Sequence, residues 1–91
     1  MVPITVAALS HDQVRARLID LIQEITGSEP GDVNDDATLD SLKMDSITFV
    51  ELQVAIEDEW GIEIDAIEVV ELNALGAIID YVYGRIPGQS P

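Results

Sequence analysis

The chain contains no cysteine, and this single absence removes disulfide cross-links, thiolate metal sites and thiol nucleophiles together. Aromatic residues are scarce as well, 4% against 47% hydrophobic overall, so a core has to be assembled from Val, Ile, Leu and Ala, which favours small packed helices. Basic residues are nearly missing. Four Lys and Arg stand against 18 Asp and Glu, a formal net charge of -14, and such a surface repels nucleic-acid phosphates and anionic membranes. Neither nucleic acid nor a membrane is therefore expected as a partner; the charge reads as steering toward basic protein surfaces, the alternative being solubility alone. No apolar run approaches a membrane span, and M-V-P-I-T-V-A-A-L-S lacks the basic start and the length of a secretory signal, so a soluble, cytoplasmic protein is expected.

Self-repulsion at this charge opposes the compact state. Salt or divalent cations are accordingly expected to raise the melting temperature, read from a melting series between low and moderate ionic strength. A constant Tm across the series would contradict this.

At 91 residues the chain suits one domain, expected over 1–91 with its core at about 10–84 and short flexible tails. Met1 to Leu9 carries Pro3 and β-branched residues and reads as an extended lead-in whose Val6 or Leu9 packs on the rest. Ser10 reads as a helix cap, followed by apolar residues at Val14, Leu18, Leu21, Ile22 and Ile25, with Gly27 as the stop. His11, the lone histidine, has no second ligand or nucleophile beside it and reads as an exposed first-turn residue, while Arg15 and Arg17 balance nearby acids. From Ser28 to Met44, Pro30, Gly31 and Asn34 mark a long loop anchored by Val33 and Leu39. Part of it begins like a calcium-binding loop, with oxygen side chains at Asp32, Asn34 and Asp36. The pattern then fails where Ala37 replaces the turn glycine and Lys43 the bidentate glutamate, so no dedicated metal site is expected.

Asp45 is suited to cap a second helix running from Ser46 to Trp60, with Gly61 ending it. At about 100° per residue, Phe49, Leu52, Ile56 and Trp60 share a core face. Ile47, Val50 and Val54 fall on another face bordered by Glu51, Glu57 and Asp58. That arrangement reads as a docking surface, the alternative being that Ile47 and Val50 cover the end of the next helix. Ile62 and Ile64 point inward from an extended link; Asp65 caps a short third helix through Ala66, Val69 and Val70; Asn73 caps a last helix with Leu75, Ile78, Ile79 and Val82 inside. Gly84 and Pro87 close that helix before a frayed P-G-Q-S-P tail.

Ser46 stands at a helix start, exposed and near the positive end of the dipole, which is a favourable place for a phosphate. A serine nucleophile would need a base and an oxyanion hole, and neither His11 nor any G-x-S-x-G turn is placed to supply them. The chain is therefore not expected to be an enzyme; chemistry at Ser46 is done to it by another protein.

The run L-x-x-D-S-I-x-x-V-E-L-x-x-A-I-E-D-E-W-G-I-E-I, Leu42 to Ile64, resembles the acyl carrier protein signature, and the flanking helices and N-A-L-G-A-I-I-D-Y-V extend the likeness over nearly the whole chain. The resemblance implies an all-α, four-helix carrier-protein bundle with a long first loop and a short third helix. It also implies that a phosphopantetheinyl transferase moves 4'-phosphopantetheine from coenzyme A to Ser46, where the arm's thiol carries acyl groups as thioesters. The family commonly has glycine two residues before the aspartate, whereas Lys43 here sets a cation beside the site, able to pair with Asp45 or the phosphate. Fatty-acid members often have an acid where this chain has Thr48, which shifts the expected docking to Ile47, Val50, Glu51, Val54, Glu57, Asp58 and Glu59.

The expected protein is thus a discrete, monomeric acyl carrier. It would present cargo, sheltered between its helices, to acyl-loading, acyl-transferring or condensing enzymes of fatty-acid, polyketide or lipopeptide biosynthesis that have basic docking surfaces. A peptidyl carrier for an aminoacyl group and an unmodified acidic interaction module are the alternatives. Short ends favour a free-standing protein, although a domain cut from a larger synthase would have the same ends.

Overall fold

Ser10 starts the helices with a reciprocal cap. In the computed structural model, which describes residues 10–86, its hydroxyl accepts the Gln13 N–H at 3.1 Å while Gln13 Oε1 accepts the Ser10 N–H at 2.7 Å. Helix α1 then runs His11–Thr26 and stops at Gly27, whose φ of 71° is the left-handed turn that favours glycine. Helix α2 spans Ser46–Trp60 and ends at Gly61 in the same way. Helix α3, Ala66–Leu72, is capped by Asp65 Oδ1, which accepts the N–H groups of Ile67 at 2.9 Å and Glu68 at 3.2 Å. Helix α4 spans Leu75–Arg85. This is the four-helix fold implied by the resemblance, and no described helix is long and apolar enough to cross a membrane. The expected lead-in at 1–9, Pro87 and the tail lie outside the described residues.

The apolar periodicities converge on one core. Val14, Leu18 and Ile22 of α1, Leu52 and Ile56 of α2, Val69 of α3 and Ile78, Ile79 and Val82 of α4 are buried in a single cluster, joined by Ile62 and Ile64 from the link. Helix α1 packs on both α2 and α4, while α3 packs on α4. Among the described residues no polar or charged side chain is buried. Among the described residues, three polar contacts tie α1 to other segments: Arg15 to Asp35 at 2.8 Å, Arg17 to Glu59 at 3.0 Å, and His11 Nε2 to Asp80 Oδ1 at 2.7 Å, with the His11 ring edge-on to Tyr83.

The structure corrects three expectations. Asn73 does not cap α4. It ends α3 with a positive φ of 61°, and both its carbonyl oxygen and its Oδ1 accept the Leu39 N–H. The first turn of α4 is served by the loop instead, Ala37 O accepting the Leu75 N–H at 2.8 Å and Asp35 O the Gly76 N–H at 3.0 Å. Gly84 does not end α4, which continues to Arg85, because glycine there keeps ordinary helical geometry. Trp60 is only half-buried, at the edge of the core, since it is the last residue before the Gly61 turn. Val33 and Leu39 do anchor the loop, joined by Ala37 and Leu42, both buried.

Candidate functional site

The loop delivers the chain to α2 through a strained turn. Leu42, Lys43 and Met44 donate their N–H groups to Thr38 O, Asp40 O and Leu39 O at 2.9–3.0 Å, and Lys43 takes a φ of 57° to fit. That conformation costs a residue with a Cβ about 1–2 kcal/mol, whereas glycine loses about 0.5–1 kcal/mol of chain entropy on being ordered. Lys43→Gly is therefore expected to stabilise the fold by roughly 0.5–1 kcal/mol in urea denaturation; a destabilised variant would mean that the lysine side chain contributes contacts that outweigh the strain. Lys43 makes no ion pair among the described residues. It lines a hollow of about 260 Å³ with Thr26, Ser28, Glu29, Asp32 and Ser41, apart from the cleft bordered by Ser46.

Asp45 caps α2 as its sequence position suggests. Its Oδ1 accepts the Thr48 N–H at 2.8 Å and its carbonyl accepts the Phe49 N–H at 2.8 Å. The bond from Thr48 holds the Asp45 carboxyl below the ordinary aspartate range. Because the folded value is the lower one, the stabilisation is complete above the unfolded value of about 4 and is lost as pH falls through the folded value. Asp45→Asn keeps a competent cap that does not titrate. Melting curves from neutral pH down to about pH 2–3 are expected to fall less steeply on the acid side for this variant than for the parent.

Ser46 follows as the first, exposed residue of α2, its hydroxyl without a hydrogen bond to any described residue. Its own N–H is likewise unpartnered among the described residues, so the helix end presents a donor and the positive pole of the dipole beside a free hydroxyl. Ser46 stands at the mouth of an open cleft of about 730 Å³ between α2 and α3. Leu39, Met44, Phe49, Val50, Ala66, Ile67 and Val70 make its walls mainly apolar, and Asp40, Asp45, Gln53, Glu71 and Asn73 also line it.

The remaining expected residues separate into two groups. Ile47, Val50 and Val54 are exposed, at 74%, 53% and 53%, beside exposed Glu51 and Asp58, so none of the three is covered by α3. By contrast, Glu57 Oε2 accepts the Ile64 N–H at 3.1 Å and Glu59 Oε1 binds Arg17, which gives both acids work within the fold. Sequence reasoning missed Ile67 and placed Val70 only in the apolar pattern of the third helix; exposed at 71% and 50% on α3, they continue the apolar face across the cleft. Only Val69 of this short helix is buried, which is decided by packing, so no local signal in the sequence separated it from its exposed apolar neighbours.

The phosphopantetheine attachment site family matches residues 16–82. The meromycolate extension acyl carrier protein of Mycolicibacterium aurum is 33% identical over 82% of this chain and 78% of its own length. The acyl carrier protein of Rhodococcus erythropolis is 32% identical over 82% of this chain and 84% of its own. The mitochondrial acyl carrier protein of Saccharomyces cerevisiae is 40% identical over 84% of this chain and 65% of its own.

Proposed function

Because the chain belongs to the acyl carrier protein family, whose members bear 4'-phosphopantetheine, we propose that it is a non-catalytic carrier modified on Ser46 and loaded with a fatty acyl group. The observation that carries this reading is an exposed serine opening α2 at the mouth of an apolar cleft. The residues present fit the group. The unpartnered Ser46 N–H and the α2 dipole favour a phosphate on Ser46 Oγ, while Asp45 turns its carboxylate back onto Thr48 and so directs its charge into the helix. When bound, the arm supplies a terminal thiol that holds an acyl group as a thioester, chemistry that a chain without cysteine otherwise lacks.

Fatty acyl cargo is favoured by the likeness to a carrier whose name assigns it to meromycolate extension, and by the apolar cleft walls. The partners are a phosphopantetheinyl transferase with coenzyme A, then acyl-transferring and condensing enzymes. Ile47, Val50, Val54, Ile67 and Val70 form the apolar part of the docking face, and Glu51 and Asp58 attract basic residues at its rim. Glu57 acts on docking through the fold it holds, whereas Glu59, exposed beside its bond to Arg17, remains part of the acidic rim.

The test is direct. Incubated with coenzyme A, magnesium and a broad-specificity transferase, the protein is expected to gain the mass of one phosphopantetheinyl group, mapped to the peptide containing Ser46. No gain, or a gain on another peptide, overturns the proposal.

A further inference from the structure

Helix α2 presents a polar side chain to the cleft where an apolar one would suffice. Gln53 lies seven residues after Ser46, which returns it to within about 20° of the same helix face and about 10 Å farther along the axis. A chain anchored at Ser46 and laid along this wall runs over Val50 and then Gln53. Gln53 is half-buried, and its carboxamide makes no hydrogen bond among the described residues. On the opposite wall, Asn73 Oδ1 accepts the Leu39 N–H at 3.3 Å, leaving its Nδ2 donors unpartnered among the described residues.

Covering these groups with hydrocarbon alone would strip their water and return nothing. An amide is the complementary ligand: its N–H can donate to Gln53 Oε1, while its carbonyl, which points the opposite way in a trans amide, faces a donor on the other wall. The phosphopantetheine arm carries amide groups between its phosphate and its thiol. We infer that Gln53 is a positioning residue that pairs with an amide of the arm when the arm lies in the α2–α3 cleft, with Asn73 Nδ2 donating from the facing wall. This rests on attachment at Ser46. It assigns the stretch of cleft between Ser46 and Gln53 to the arm and leaves the apolar remainder to cargo.

The test uses 15N-labelled protein converted to the phosphopantetheinylated form, with conversion verified by intact mass. A failed conversion thereby counts against attachment and not against the pairing. In apo and modified spectra, the side-chain NH2 signals of Gln53 and Asn73 are expected to shift while those of Gln13, Gln23 and Asn34 stay in place. The arm's amide protons are expected to exchange with solvent about two- to tenfold more slowly than those of free pantetheine. Gln53→Met, which keeps the length of the side chain and removes its amide, is expected to restore the free rate in its own modified form. Modified protein whose Gln53 signal does not move, or moves only after an acyl group is added, overturns the inference, and the unsubstituted protein alone decides it should the variant not fold.

Discussion

Ser46→Ala is expected to take up no phosphopantetheinyl group from coenzyme A while melting at, or slightly above, the temperature of the parent protein. The two halves of this result have separate physical origins. The hydroxyl is exposed and bonds to no described residue, so its removal leaves no buried group unpaired, and alanine is the better helix former. The cap of α2 belongs to Asp45, which the substitution does not touch. Uptake should nevertheless be all or none, because the Thr48 hydroxyl is half-buried inside the first turn and is no substitute for a hydroxyl at the helix opening. Intact mass and a thermal melt on the same sample suffice. Residual modification would move the attachment to another oxygen, and a large fall in Tm would make Ser46 a structural residue.

Leu52→Ala should give the opposite pattern from a position six residues along the same helix. Leu52 is 1% exposed, in a cluster that also holds Leu18 and Ile22 of α1 and Ile78 of α4. Removing it costs the transfer energy of the lost carbons together with the cavity that packed neighbours cannot close, about 2–5 kcal/mol. A domain of this kind has only about 5–15 kcal/mol in total, and the net charge of -14 further opposes compaction here. Urea denaturation at moderate salt is expected to show a large fall in midpoint with little change in slope. Modification at Ser46 should persist in proportion to the folded fraction. A loss below about 1 kcal/mol would mean that the core collapses around the missing side chain far better than most cores do.

Together these variants describe α2 as a helix with separable faces: one buried in the core against α1, one exposing Val54 and its acidic neighbours, and one bearing Ser46, Val50 and Gln53 along the cleft. Charge is divided in the same way. Acids at Glu51, Asp58 and Glu59 remain exposed, the last also pairing with Arg17 at the surface, whereas Glu57 holds the Ile64 link. Replacing Glu57 would therefore confuse recognition with folding.

What the sequence determined by itself was whatever acts within a turn or two of the chain. Ser10, Asp45 and Asp65 are caps because their side chains reach N–H groups two or three residues on, and Gly27 and Gly61 end helices because the turn favours a left-handed φ. The core faces were legible for the same reason, through apolar residues recurring with the helical period, as was the position of Ser46 at the start of α2. Only the tertiary structure decided the rest. Asn73 resembles a cap for α4 in sequence, but its bonds go to Leu39, 34 residues away, and α4 is served by loop carbonyls that no local pattern announces. Glu57 looks like a surface acid until Ile64 is folded against it, and no local pattern pairs the exposed Glu59 with Arg17 of α1. The strain at Lys43 follows from the closing of the loop, and the cleft exists only because α3 packs on α4 and stands off from α2, which brings Gln53 and Asn73 into one groove with Ser46. Interactions that span an element boundary depend on where the elements pack, and packing is a property of the whole core.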